Sequence, residues 1–283
     1  MNIIAEELKK RLSVFDIIAK EDTQDELREI TQELILLGLS KAGIFNKASF
    51  HGGTALRLLY KTKRYSEDLD FVLDETDQSF TWKPYLDKVI EFVNEYGCKF
   101  EMSDKSKAEN TVKKAFIKDS SIEQMMNFSW SIKGGTPEKV NIKLEIDSNP
   151  PLYSESEIKK YNFPCEYEIK IHKLSSLFAG KCHALLCREY NKGRDWFDFK
   201  WYVENRVEPN YKYLKAMLEQ QGQYKNGLIE VNKIWLCDKL KERIENIEKN
   251  DLEEINKDIK MFTKNNPDSI LSKQIMLNLV SNI

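Results

Sequence analysis

Two aspartates, Asp68 and Asp70, stand two residues apart in the run Arg64-Tyr65-Ser66-Glu67-Asp68-Leu69-Asp70-Phe71. On a strand, side chains at i and i+2 leave the same face with Cα atoms about 6.5–7 Å apart. Both carboxylates can then converge on divalent cations about 3.5–4 Å from one another, the separation used in two-metal phosphoryl chemistry. Leu69, Phe71 and Leu73 face the opposite way, into a core. A lone Asp-x-Asp is more often a solvated strand end. The segment about 14 residues upstream, His51-Gly52-Gly53-Thr54-Ala55-Leu56-Arg57, changes that reading, because its glycine turn opens a short apolar helix. A helix N-terminus offers free backbone N–H groups to phosphate. Gly52, Gly53 and the Thr54 hydroxyl therefore suit a triphosphate, with Arg64 and Ser66 as a basic and polar lead-in to the aspartates. No Gly-Lys-Ser/Thr follows, which excludes a Walker loop, and the G-x-G-x-x-G spacing of a dinucleotide-binding turn is missing.

A second constellation lies downstream. Lys181, Ala184 and Arg188 fall at i, i+3 and i+7, on one face of an expected helix. They can aim a compact ammonium and a forked guanidinium at phosphate oxygens. Such spacing often marks a solvated basic face, but Leu177, Leu185 and Leu186 make the rest of this helix apolar. Gly180 costs about 1 kcal/mol in a helix interior, so close approach of backbone or ligand is expected there. Asp195 and Asp198 stand at i, i+3 in the next helix. One of them orients Lys181 or a substrate hydroxyl, and the other caps or pairs with Arg194; spacing alone does not separate the two. His51 is a phosphate contact or a plain strand end, and His183 a packing residue.

The pattern Gly-Gly-Thr-Ala-Leu at 52–56, then Arg-x-Ser-x-Asp-Leu-Asp-Phe at 64–71, is joined by Lys-x-His-Ala-Leu at 181–185, Arg188, and Gly-Arg-Asp-x-x-Asp at 193–198. Together these resemble the AbiEii/MenT-like nucleotidyltransferase toxins of bacterial toxin–antitoxin and phage-abortive systems, within the DNA polymerase β-type superfamily. The resemblance implies transfer of NMP from an NTP to an acceptor hydroxyl, with Mg2+ (or Mn2+) held by Asp68 and Asp70. It implies an RNA acceptor, the tRNA 3′ end first among them, and a cognate antitoxin. It also implies that Lys181 and one aspartate of the following helix are functional; Asp195 is preferred to Asp198. Arg188 joins Lys181 at the nucleotide. Superfamily members carry a further carboxylate on a neighbouring strand, as base or metal ligand. Glu145 and Asp147 both fit, and the family-like Lys-x-Glu pattern favours Glu145. Two alternatives stand beside this reading: a protein or small-molecule acceptor on the same fold, and a nucleotide-binding module without catalysis.

These residues need elements to hold them. Leu8, Leu12, Phe15 and Ile18 predict a first helix. Thr23-Gln24-Asp25-Glu26 matches a capping box for a second carrying Leu27, Ile30, Leu34 and Leu37, with Gly38 and Gly43 flanking its end. Ala48–His51 is a strand, 54–60 a helix, 68–73 a strand and 84–96 an amphipathic helix. Strands are expected at 99–102, 114–118, 127–132, 139–146 and 166–171, with Gly134-Gly135-Thr136-Pro137 as a hairpin connection. In 139–146, Val140, Ile142, Leu144 and Ile146 alternate with polar residues. Helices follow at 174–190, 195–203, 211–220 and 228–247, and near 269–280. The expected fold is α+β: a nucleotidyltransferase-like mixed sheet flanked by helices over residues 1–172, then an all-α domain over 173–283 that completes the active-site cleft.

Composition bounds the rest. The 283 residues are 41% hydrophobic and 32% charged with a net charge of −2, so a wholly basic nucleic-acid coat is excluded. Lys105, Lys107, Lys113, Lys114 and Lys118 form a local basic run, either an RNA contact or a charged loop. No apolar run is long enough for a membrane span. The five cysteines, Cys98, Cys165, Cys182, Cys187 and Cys237, show no C-x-x-C spacing. They read as reduced thiols of a cytoplasmic protein, not as a zinc site.

Overall fold

The computed structural model describes residues 6–7, 10–11, 20–94, 100–101, 121–130, 138–220, 224, 230–264 and 270–283. Outside these lie the expected first helix stripe, the 114–118 strand, the Gly134–Pro137 connection, the lysine run 105–118 and Cys98.

After short helical pieces at residues 6–7 and 10–11, the described residues form helix α1, Lys20–Ala42, a single 3-10 turn, strand β1, Ala48–His51, and helix α2, Gly52–Tyr60. Strand β2, Leu69–Leu73, helix α3, Lys83–Asn94, and strands β3, Phe100–Glu101, β4, Ser121–Trp130, and β5, Glu138–Asp147, come next. Strands β6, Ser156–Tyr161, and β7, Tyr167–His172, complete one seven-stranded mixed sheet of order β3-β4-β5-β2-β1-β7-β6. Among the described residues six helices follow: α4, Leu174–Cys187; α5, Gly193–Glu204; α6, Tyr211–Gln220; α7, Lys233–Glu245; α8, Lys249–Phe262; and α9, Lys273–Ser281.

The chain divides into two compact units. The first comprises Met1–Ala55, Ser66–Pro150 and Ile158–Ile171; the second comprises Leu56–Tyr65, Pro151–Glu157 and His172–Ile283. Leu56–Tyr65 and Pro151–Glu157, both within residues 1–172, thus group with the helices.

In the first unit, β2 lies between β5, to which it is parallel, and β1, to which it is antiparallel. Its apolar residues Leu69, Phe71, Val72 and Leu73 are all buried, as befits a strand covered on both faces. The Phe71 ring lies 5.3 Å from a tilted Phe50 ring and 5.5 Å, edge to face, from that of Trp82. In β5 the alternation works as the sequence suggests, with Val140, Ile142, Leu144 and Ile146 buried. Each such side chain contributes about 1.5–3 kcal/mol relative to exposure. Helix α1 packs on α3 and β5. It runs four residues past Gly38, and a Cβ at Gly38 would press on Val89 of α3 at 3.1 Å. Close helix contact, not helix termination, is what this glycine serves. The helix also begins at Lys20, ahead of the expected capping box.

Two elements escaped the sequence reading. Strand β6 lies at the sheet edge with charged side chains and a half-buried pattern, so it offers no clean apolar alternation. Helix α8 does carry a legible stripe: Ile255, Ile259 and Phe262 are buried, and Glu248 and Asp251 form a capping box. The expected 228–247 helix is shorter, Lys233–Glu245.

Over residues 27–39 helix α1 is buried on nearly every side and carries two acids inward, Glu29 and Glu33, the latter at 2% side-chain exposure. Arg11 donates to Glu33 Oε2 at 2.5 Å and to Glu29 at 3.3 Å, and the Tyr161 hydroxyl donates to Glu33 Oε1. Burial pushes the Glu33 carboxyl up, and Arg11 and Tyr161 offset this only in part. A carboxyl whose folded value is raised gives stability that is complete below about 4.5 and declines as pH rises toward the folded value. Arg11→Ala should therefore destabilise the fold by on the order of 2–3 kcal/mol at pH 8. The gap from wild type should narrow near pH 4, as read from urea denaturation at both pH values.

Candidate active site

The glycine turn and the aspartates are joined by direct packing. Gly52, the first residue of α2, has φ +80°, a conformation L side chains rarely adopt. It lies so close to β2 that a Cβ there would overlap the Asp70 carboxylate. Two residues on, Thr54 is fully buried and its hydroxyl donates to the Asp68 carbonyl oxygen. The Thr54 hydroxyl, expected at phosphate, is thus used inside the protein to fix the backbone that presents Asp68. Ser66 is held by its carbonyl, which accepts from the Gln32 amide at 3.0 Å. Asp68 stands one residue before β2 and Asp70 within it, both half-buried.

Strand register supplies the third carboxylate. Asp70 is the partner of Glu145 on parallel β5 and of His51 on β1, so the three residues form a row across the sheet. Neighbouring strands lie about 4.8 Å apart, and paired residues project to one side. Glu145 is 29% exposed and accepts from Lys143 at 3.0 Å. Asp147 is buried, and its carboxylate accepts from the Asn149 backbone N–H at 3.0 Å, which closes the turn after β5. The two acids that the spacing left open therefore differ: one faces outward beside Asp70, the other ties a turn.

Among the described residues no three His, Cys, Asp or Glu side chains gather into a metal cluster. Mg2+ is ordinarily bound by one or two carboxylates together with substrate phosphates and water. Asp68 and Asp70 are oxygen donors of that kind, so the residues present fit such an ion.

The helical unit holds a separate, charged constellation. Lys181 Nζ donates to Asp195 Oδ1 at 2.8 Å and pairs with Asp198 Oδ2 at 2.9 Å. Arg188 pairs with the second oxygen of Asp195 at 2.7 Å. Arg64 grips Asp198 with Nε and Nη2, both at 2.5 Å, and donates from Nη1 to the Tyr65 carbonyl at 3.0 Å. Three cations share two carboxylates, leaving one positive charge in excess. Burial would raise both aspartates, but Lys181 and Arg188 hold Asp195, and Arg64 and Lys181 hold Asp198, below the usual carboxylate value.

Several expectations are corrected here. Arg64, expected at the nucleotide, is 3% exposed and committed to Asp198. Helix α4 ends at Cys187, so Arg188 does not extend the Lys181 face; it is an extended C-cap residue, φ −73° and ψ 138°. Both Asp195 and Asp198 hold Lys181, and Arg194 pairs with Asp258 instead. A Cβ at Gly180 would meet no protein atom within 4 Å, so backbone approach does not explain that glycine. At Gly193, which opens α5, a Cβ would strike the Ile255 carbonyl of α8. Arg64 was expected at phosphate, and its pairing with Asp198 was not foreseen. Its signal, a cation in a motif otherwise matched by a distant acid, lies beyond local spacing. A polar depression of about 270 Å3 lined by Tyr190, Asn191, Arg243 and Glu254 contains none of the expected site residues.

The sequence matches the family described as nucleotidyl transferase AbiEii toxin, type IV toxin–antitoxin system, over residues 34–273. The chain belongs to this family. It is a nucleotidyltransferase of the toxin–antitoxin class. Its fold is similar to that of a candidate nucleotidyltransferase from Helicobacter pylori, at TM-score 0.53 and 19% identity, covering 93% of this chain and 96% of that one. JHP933 from Helicobacter pylori is similar at TM-score 0.52 and 20% identity, over 91% of each chain. MenT4, a nucleotidyltransferase toxin from Mycobacterium tuberculosis, aligns at TM-score 0.46 and 14% identity over 99% of each chain. No curated protein matches the sequence at a significant level. No helix among the described residues is long and apolar enough to cross a membrane.

Two outcomes follow from this geometry. Gly52→Ala should cost about 1–2 kcal/mol for the left-handed backbone and about 10²-fold in nucleotidyl transfer by displacing Asp70. A melting curve and a transfer assay read the two effects separately. Asp198→Asn should destabilise by about 3–5 kcal/mol at pH 7, because it leaves Arg64 buried without its partner. A carboxyl with a lowered folded value stabilises fully above the ordinary 3.8 and loses this as pH falls through the folded value. The difference from wild type should accordingly shrink in denaturant titrations as pH is lowered below 3.8.

Proposed function

We propose that this nucleotidyltransferase uses Mg2+ (or Mn2+) and transfers NMP from an NTP to an RNA hydroxyl, with the tRNA 3′ end as acceptor. The observation that carries the reading is the alignment of Asp70 with Glu145 across β2 and β5, beside the N-terminus of α2. When bound, a divalent cation supplies Lewis-acid polarisation of the phosphoryl oxygens, and Asp68 and Asp70 hold it.

The remaining roles fall to the chain's own groups. The first N–H groups of α2, at Gly52 and Gly53, donate to triphosphate oxygens, and the Ser66 hydroxyl, from the lead-in to Asp68, joins them. Glu145 takes the proton of the acceptor hydroxyl as its oxygen bonds to the α-phosphorus and the bond to pyrophosphate breaks. Its half-exposed position opposite Asp70 supports Glu145 over Asp147. Lys181 and Arg188, members of a network with one surplus positive charge, neutralise the departing pyrophosphate. Asp195, which touches both, orients them. Activity of this kind is toxic to its host, and a cognate antitoxin counters it in the cell.

Incubation with each α-labelled NTP, Mg2+ and either total RNA or a protein lysate tests the proposal. Label should enter RNA in the tRNA size range, and Asp70→Asn should lower the rate by about 10²–10³-fold. Label confined to protein would instead establish the alternative acceptor. Absence of any transfer, with NTP binding retained, would leave a binding module.

A further inference from the structure

We infer that Arg64 is a positioning residue, acting through Asp198 to set where the Lys181 ammonium stands. The inference rests on the proposed role of Lys181. Three observations carry it. The Arg64 fork engages both oxygens of Asp198 at 2.5 Å, and the oxygen taken by Nη2, Oδ2, is the one that Lys181 meets at 2.9 Å. One carboxylate oxygen therefore transmits the orientation of the guanidinium to the ammonium. Burial makes that link stiff, since Arg64 and Asp198 side chains are 4% and 0% exposed and Lys181 15%. Lastly, the third guanidinium nitrogen, Nη1, is spent on the Tyr65 carbonyl, so Arg64 is anchored to its own backbone as well as to α5.

The contrast with Arg188 sharpens the assignment. Arg188 is 36% exposed and meets Asp195 with one nitrogen, whereas Arg64 uses a planar fork in a dry setting. A bidentate pair fixes angle as well as distance. Two carboxylates one turn apart on α5 thus hold Lys181, and only the Asp198 side of that hold is aimed by a buried cation.

Arg64→Lys is the informative variant, because it keeps the buried charge and removes the fork. In 15N-labelled protein, the Lys181 ammonium should give a 1H–15N cross-peak, assigned by its loss in Lys181→Ala. In Arg64→Lys this peak should shift or vanish as the ammonium exchanges with water. In the transfer assay, kcat should fall about 10²-fold while KM for the NTP changes less than about twofold. The double variant Arg64→Lys/Lys181→Ala should be no slower than Lys181→Ala alone, as for residues acting as a unit. If melting shows Arg64→Lys unfolded, Arg64→Gln, which leaves Lys181 and Arg188 to balance the two aspartates, takes its place with the same expected pattern. An unchanged cross-peak overturns the inference, as does a rise confined to KM, which would make Arg64 a nucleotide ligand. Losses that multiply in the double variant overturn it too. If the wild type transfers nothing to any acceptor, the proposed function fails, while the cross-peak still decides the role of Arg64.

Discussion

The contact on which the candidate site depends is the approach of Gly52 to the Asp70 carboxylate. Any side chain at position 52 would occupy the space of that carboxylate, and the backbone there is left-handed. The same turn sends the Thr54 hydroxyl to the Asp68 carbonyl. A helix N-terminus and an acidic strand are thereby held in one rigid arrangement by two contacts of different kinds. A carboxylate is ordinarily stabilised near a helix N-terminus by the partial positive charge of the first N–H groups. The same dipole favours phosphate. The turn can therefore hold the aspartate in place and also receive an anion, provided a cation stands between the two negative groups. This is the physical reason a glycine turn and an Asp-x-Asp belong together in phosphoryl chemistry.

The ion network of the helical unit solves a different problem. Buried charges are costly, and pairing them rarely repays the full desolvation. Here two aspartates on α5 are almost completely buried, and they retain their charge because three cations surround them. Apolar residues of similar volume would stabilise a helical core at least as well. What the ionic arrangement provides instead is direction. Lys181 has a long, rotatable stem, and two acids one helical turn apart restrict it to a small region. Placement of α5 is fixed in turn by the α8 backbone against Gly193 and by Arg194, which lies over the Phe262 ring at 4.1 Å.

Much of this was legible in the sequence where a signal was periodic or local. The alternation of Val140, Ile142, Leu144 and Ile146 gave β5, and the apolar stripes gave α1, α3 and α4 to within a few residues. Asp68, Asp70 and Lys181 were singled out by residue type and spacing, and Glu145 by the family-like Lys-x-Glu pattern. What could not be read was partnership across long separations. Arg64 and Asp198 are 134 residues apart, and nothing near Arg64 announces that its fork is used internally. Thr54 misled for a related reason: a hydroxyl beside a glycine turn suits phosphate, yet its burial is decided by packing against β2. The end of α4 at Cys187 was missed because Arg188, Glu189 and Tyr190 are acceptable helix formers. No glycine or proline marks the stop. Strand β6 was hidden by its edge position, which tolerates charged residues on both faces.

The acidic row across the sheet shows how far register can substitute for a motif. Glu145 lies in no signature around Asp68 and Asp70, and 75 residues separate it from Asp70. It is brought there because β5 pairs in parallel with β2, Leu69 against Leu144 and Phe71 against Ile146. Those apolar pairs bury on one face, which forces Asp70 and Glu145 together onto the other. A slip by one residue would set Asp70 beside Leu144 or Ile146 and turn the Glu145 carboxylate into the core, at a cost of several kcal/mol for the buried charge. The packing of leucine, isoleucine and phenylalanine therefore specifies the position of the acid. Core packing and site geometry are in this respect one constraint, and a substitution on the apolar face of β5 that permits a register shift would act on chemistry without touching a polar residue.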